Sequence, residues 1–188
     1  NPKPFLKLWI ARDGYLYPKS DDMKRILLMC ALVVSVAVQA QTSTLSYKTY
    51  SIRYPDTWIV EPDAGPKQFT IKAPSDTGLV DNFVENLNMV INEVTGYNAQ
   101  QYAEFSKGYL PQKIKKFTVL ESKKGSFAGI DSWYMVFKGV QFGKSLQWKQ
   151  YYLLKGGKAH ILTFTCEAKR WKQYLPEVDK MIKSYVVK

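Results

Sequence analysis

"KKFTVLESKKGSFAGIDSWYMVFKGVQFGKSLQWKQYYLLKGGKAHILTFTCEA", residues Lys115 to Ala168, carries the densest β signal in the chain. Its apolar runs are rich in aromatic and β-branched residues. Gly125, Gly129, Gly143 and the pair Gly156 and Gly157 interrupt them at hairpin spacing. Strands joined by such short turns run antiparallel, because a parallel return needs a crossover of about a dozen residues. The stretch therefore predicts an antiparallel meander at the centre of the fold. One piece of it, KGVQFGKS from Lys138 to Ser145, ends like a phosphate-binding loop. Its leading glycine, Gly139, stands too close, and a strand follows where that motif requires a helix, so it reads as a hairpin turn.

Upstream, the apolar residues of LSYKTYSIRYP (Leu45 to Pro55) alternate with one slip, which predicts two short strands and a tight turn. Pro55 ends the second strand for want of an N–H donor, and Trp58 is expected to plug the core. A further strand is expected from Lys67 to Ala73 and a loop from Ser75 to Asn82. FVENLNMVINEV then returns to extended structure, with Leu87, Met89 and Ile91 on one face and Asn86, Asn88 and Asn92 on the other. A helix should start near Asn98, whose side chain can accept from the first-turn N–H groups. Tyr102, Phe105 and Tyr109 would be its apolar stripe, and Pro111 its end. After the meander, Tyr174, Val178, Met181, Ile182 and Tyr185 recur at helical spacing, with Pro176 suited to a first turn. This closing helix must lay its apolar face on the sheet, so the class is α+β, an antiparallel sheet flanked by helices.

MKRILLMCALVVSVAVQAQ (Met23 to Gln41) reads as an export signal. Lys24 and Arg25 precede an apolar run from Ile26 to Val38, and Val38 and Ala40 suit cleavage after Ala40. The run is shorter than the roughly 20 residues that span a bilayer, so no transmembrane span is expected in the processed chain. Residues 1–22 are expected to be upstream or expression-derived sequence, 23–40 a signal peptide, and 41–188 a single domain that is periplasmic or secreted. Cys30 lacks the small preceding residues of an acylation site, Leu28 and Met29 standing there instead. After its removal Cys166 alone cannot form an internal disulfide, and its apolar run predicts a buried, inert thiol. The whole chain has a formal net charge of +11, and after position 40 there are 21 basic and 13 acidic residues, a net +8. The cations are spread along the chain, which fits a solvated surface; no specific nucleic-acid signal is present.

The residues for catalysis do not gather. His160, the only histidine, shares its strand side with Leu162 and Phe164 and reads as a satisfied core residue. One histidine and one processed-chain cysteine fall short of a zinc set. No nucleophile elbow occurs, and Asp76 and Asp81 lack the spacing of a calcium loop. No cofactor, metal site or catalytic residue is expected. Two constellations remain as candidate partner-binding sites. Lys113, Lys115, Lys116, Lys123 and Lys124 surround the helix exit and the next turn, where they would meet an anionic surface or polymer. Trp148, Tyr151 and Tyr152 put aromatic rings on both faces of one strand with the cation Lys149 beside them, which suits a sugar or partner-protein surface unless helices cover both faces.

YSIRYPDTWIVE (Tyr50 to Glu61), NLNMVINEV (Asn86 to Val94), FAGIDSWYMVFKG (Phe127 to Gly139), QYYLLKGGKAHILTFTC (Gln150 to Cys166) and IKSYV (Ile182 to Val186) together resemble the PsbP-like superfamily, which includes exported bacterial DcrB-like proteins. The resemblance runs from Tyr47 to Val186. It implies an α/β/α sandwich and a binding or assembly role without chemistry of its own. The expected function is thus a non-catalytic binding module of the cell envelope, with another envelope protein as partner. The alternatives are a carrier or sensor of a small apolar or sugar ligand held between sheet and helix and, behind it, an envelope hydrolase.

Overall fold

The computed structural model describes residues 8–10, 16–18, 41–75, 83–127 and 129–188. The signal-like stretch 23–40 and most of the expected 75–82 loop lie outside them. The chain divides into two compact units, Asn1–Gln39 and Ala40–Lys188. In the first, β1 (Leu8–Ile10) pairs antiparallel with β2 (Leu16–Pro18).

The second unit is built around the meander. β8 (Lys115–Lys124), β9 (Asp131–Gln141), β10 (Lys144–Lys155) and β11 (Lys158–Glu167) follow one another antiparallel. Beyond β11 lie β7 (Asn86–Glu93), β6 (Gln68–Lys72) and the short β5 (Ile59–Val60), giving a seven-stranded sheet in the order β5-β6-β7-β11-β10-β9-β8. The β9–β10 and β10–β11 turns are two residues long. Phe142 and Gly143 turn the first at φ 54° and 74°, Gly156 and Gly157 the second at 59° and 74°. Positive φ at both positions matches the right-handed twist of the flanking strands, so KGVQFGKS is a hairpin. A second sheet, β12-β4-β3, joins β3 (Thr42–Ser46), β4 (Tyr50–Pro55) and the terminal β12 (Val186–Val187).

Alternation along β11 assigns the two faces of the large sheet. Leu162, Phe164 and Cys166 enter a core with Tyr50, Ile52, Trp58, Phe69 and helix α2 (Trp171–Lys183), while Ala159 and Ile161 enter another with Met135, Phe137, Leu146 and helix α1 (Ala99–Tyr109). A helix therefore covers each face, and the three-stranded sheet shares the α2 side. Trp58 plugs that core as expected, its indole N–H donating to Glu177 Oε2 at 2.8 Å.

Two expectations about the helices are corrected. Pro176 lies inside α2 rather than in its first turn, since the helix begins at Trp171. The ring costs the helix the bond to the Lys172 carbonyl, yet burial of Tyr174, Val178, Met181 and Ile182 holds the turn. In α1 the Asn98 cap forms as the sequence suggests, its Oδ1 accepting from Gln101 N at 2.8 Å, and Gln101 Oε1 accepts in return from Asn98 N at 2.9 Å to complete a capping box. Of the helix's apolar stripe only Tyr102 packs toward the sheet. Ala99 and Ala103 are the buried residues, Tyr102 is half-buried, and Phe105 and Tyr109 point to solvent.

Candidate partner-binding surface

The two sequence-derived constellations are placed very differently from a shared site. Successive residues of β10 point to opposite faces, which separates Trp148 from Lys149 and Tyr151. Trp148 is 4% exposed and stacked on Phe137 at 5.4 Å in the α1-side core. Such a ring is withdrawn from partners. Lys149 is largely buried on the α2 side, where its Nζ lies 2.7 Å from Asp179 Oδ1 and over the rings of Tyr134 and Tyr151 at 5.3 and 5.5 Å. Tyr151 is half-buried, stacked on Tyr134 at 4.9 Å and edge-on to Phe127 at 5.6 Å. Burial first, and then the Asp179 charge, push its phenol well above the ordinary tyrosine range.

The lysines separate as well. Lys113, Lys115 and Lys116 lie where α1 gives way to β8, and Lys123 and Lys124 at the far end of that strand. Seven residues of extended chain put roughly 20 Å between the two groups. Lys123 pairs with Glu121, which lowers that carboxyl and raises the ammonium. β8 is the outer strand of the sheet and carries two register shifts, with Lys116 at φ 54°. Lysines and bulges are what keep an open edge from pairing with another chain, so these residues have a structural task besides any binding one.

What periodicity alone missed is the outward face of α1. Alanines at 99 and 103 let the helix sit close to β9 and β10, and the Ala99 N–H donates to Asp131 Oδ2 at 2.7 Å, fixing its start. Tyr102 packs against Tyr152 at 5.8 Å, and the neighbouring rings are left outside. Tyr97 is 48% exposed, Phe105 61% and Tyr109 48%. They form one strip: Tyr97 touches Tyr102 and Phe105 at ring separations of 6.0 and 6.2 Å, and Lys113 Nζ sits 5.7 Å from the Tyr109 ring. Exposed single apolar residues are ordinary, but contiguous ones on a surface helix mark interaction sites. The signal available in the sequence was the pair of small residues Ala99 and Ala103, which mark a close helix–sheet approach.

An open depression of about 350 Å³ adjoins Tyr97 and is lined also by Asn98, Asp131, Leu154, Lys155 and Lys158. A second hollow, of about 600 Å³, opens between Lys124 and Asp131 and includes Phe127 and Ile130. Both lie on turns at one end of the sheet. Neither has the sheet-against-helix walls expected of a carrier pocket.

The buried titratable groups are consumed in pairs. His160 Nδ1 lies 2.6 Å from Tyr185 Oη, and burial, followed by the charges of Lys158 and Lys155, lowers its pKa to about 4. Cys166 is fully buried, with Sγ 3.3 Å from the Glu167 carbonyl and 3.7 Å from Glu85 Oε1. Burial first, and then the Glu85 carboxylate, hold the thiol far above its ordinary range, which is the opposite of an activated nucleophile. Glu85 pairs with Arg170 Nη1 at 3.1 Å, and Arg170 Nη2 donates to Tyr174 Oη at 2.5 Å. The sequence reading did not foresee this Glu85–Arg170–Tyr174 contact, whose members are 85 and 4 residues apart. Among the described residues no group of three or more histidine, cysteine, aspartate or glutamate side chains is placed to hold a metal ion, and no helix is long and apolar enough to cross a membrane.

No family model and no curated protein matches the sequence. Solved structures do match the fold. The cyanobacterial PsbP protein (CyanoP) of Synechocystis sp. PCC 6803 superposes with a TM-score of 0.59 at 15% identity, covering 82% of this chain and 96% of its own. LpqN of Mycobacterium tuberculosis, a protein involved in cell envelope biogenesis, gives 0.58 at 11% identity over 78% of this chain and 90% of its own. PA94 of Pseudomonas aeruginosa, of unknown function, gives 0.53 at 12% over 79% and 98%. At these identities the likeness speaks for architecture alone, and that architecture, two helices flanking antiparallel sheets, is PsbP-like.

Proposed function

We propose that this chain is an exported, non-catalytic binding module of the cell envelope, and that it docks on another envelope protein through the aromatic strip Tyr97, Phe105 and Tyr109 with Lys113 beside it. The observation that carries the proposal is the exposure of Phe105 and Tyr109 on a helix whose buried residues are alanines, with the exposed Tyr97 just before that helix packed against Phe105. Large rigid aromatics are over-represented at the centres of protein interfaces and supply most of their binding energy. His160 is paired with Tyr185 and Glu85 with Arg170, and the buried Cys166 thiol beside Glu85 is held far above its ordinary range, which does not suit a nucleophile. The envelope role of LpqN, which shares the fold, points to the same compartment. Lys113, Lys115 and Lys116 at one end of the strip would steer an acidic partner, with an on-rate that falls as salt rises.

The test is a photo-crosslinking group placed at Gln101, one turn from Phe105, in the protein expressed in its own envelope. A discrete adduct is expected that disappears with Phe105→Ala and Tyr109→Ala. Folding should be untouched, because exposed substitutions of this kind change stability by within about 0.5 kcal/mol. Trp148→Ala serves as the contrasting control, expected to cost about 3–5 kcal/mol as a core truncation. Adducts that persist unchanged in both strip variants would overturn the reading.

A further inference from the structure

The α1 side of the large sheet is divided. α1 packs over β9 and β10, where the inward residues Met135, Phe137, Leu146, Trp148 and Tyr152 are apolar and buried. On the next strands the same side changes character. β7 directs Leu87, Met89 and Ile91 into the opposite core and turns Asn86, Asn88, Val90 and Asn92 to this one. β11 does the same with Thr163 and Thr165, and β6 with Thr70 and Lys72, all half-buried.

The strand register arranges these side chains. Gln150 stands opposite Thr163, Thr163 opposite Asn88, and Asn88 opposite Thr70. One transverse row of four hydrogen-bonding side chains thus crosses β10, β11, β7 and β6. At about 4.8 Å between strands it is roughly 14 Å long. The adjacent row carries Thr165, Asn86 and Lys72 on the last three of those strands. Gln150 is fixed at both ends of its amide: Nε2 donates to Thr163 Oγ1 at 2.8 Å and Oε1 accepts from Tyr152 Oη at 2.6 Å. The Thr163 hydroxyl is left free to donate. Asn88 Oδ1 is buried without a hydrogen-bond partner, whereas a simply solvated face would leave its acceptors wet. Tyr102 meets this side of the sheet farther along β7, its phenol accepting from Asn92 Nδ2 at 3.2 Å, four residues beyond Asn88.

We propose that this polar half of the sheet binds a neutral saccharide. The row offers amides and hydroxyls and no unpaired charge, Lys72 being matched by Glu61 at 2.9 Å. An ion finds no counter-charge there, and an apolar ligand would strip water from the row and return no hydrogen bonds. Hydroxyls that donate and accept together suit carboxamides, which do the same. The row's length suits two or three linked rings better than one. This site uses different residues from the docking strip and does not depend on it.

The experiment is a titration of the isotope-labelled protein, followed by NMR, with glucose and with hexamers of α- and β-linked glucose, mannose, galactose and N-acetylglucosamine. At least one hexamer is expected to shift the side-chain amides of Asn88 and Gln150 and the backbone of Thr163, more strongly than glucose does, while the Phe142–Gly143 turn stays put. Thr163→Val, which keeps the shape of the side chain, and Asn88→Thr, which keeps a strand-forming residue, should each weaken that binding by about tenfold. Phe105→Ala should leave it unchanged. The proposal is overturned if no hexamer shifts those amides selectively, or if both row variants bind as tightly as the parent.

Discussion

Gly139 shows how a single position can be decided by its neighbour. A Cβ there would lie 2.3 Å from Ile114 Cγ2 and 2.8 Å from the Lys115 carbonyl oxygen. The second contact is backbone of β8 itself, so it cannot swing aside. Gly139→Ala is expected to destabilise the protein by about 1–3 kcal/mol, read as a lower urea midpoint with an unchanged slope. His160 makes a different prediction. Its folded pKa of about 4 lies below the unfolded value of about 6.5. Above pH 6.5 it is neutral in both states. As the pH falls from 6.5 toward 4 the unfolded chain takes up a proton that the folded one refuses, so stability declines across that window. His160→Gln should remove that part of the decline, visible as a smaller loss of melting temperature between about pH 7 and pH 5 than in the parent. An equal loss in both would show that His160 is protonated in the fold.

Between elements, the Lys149–Asp179 contact ties β10 to α2. Lys149 is the more buried partner, its side chain 11% exposed against 31% for Asp179. Removing the carboxylate therefore strands the charge that is harder to solvate. Asp179→Ala is expected to cost about 1–3 kcal/mol and Lys149→Met less, with the double variant recovering part of the loss. Additive losses would mean that the pair is only proximity. The neighbouring Tyr134 and Tyr151 rings, which lie under Lys149, set the limit on how much is recovered. The same element scale explains α1: its inner surface is chosen by closeness of approach, which favours alanine, and the larger rings are displaced outward.

For the whole molecule, the unit Ala40–Lys188 contains both cores and both sheets. β12 closes it by pairing Val186 with Ser51 and Val187 with Tyr50, so the ends of the unit are held in one three-stranded sheet. We therefore expect residues 41–188 to fold alone, soluble under reducing conditions, in one sharp urea transition, with Cys166 unreactive to thiol reagents until that transition. A broad transition, or aggregation of the fragment, would show that the boundary cuts into the body.

Local patterns were enough for the elements. The glycine-punctuated run from Lys115 to Ala168 dictated the meander because two-residue turns leave a chain no other return, and Asn98 dictated the start of α1 because unsatisfied first-turn N–H groups need acceptors. The alternation in Asn86 to Glu93 likewise told which side chains share a face. Sequence spacing could not say which face of α1 would meet the sheet, since rings at 102, 105 and 109 and alanines at 99 and 103 are both periodic, and only the depth of the groove over β9 and β10 chose between them. Nor could it decide that both faces of β10 are covered, separate two lysine groups by the length of a strand, or align Gln150, Thr163, Asn88 and Thr70 in one row. Those relations are set by strand register and helix docking, which bring together residues as far as 93 positions apart, and no local preference encodes such distances.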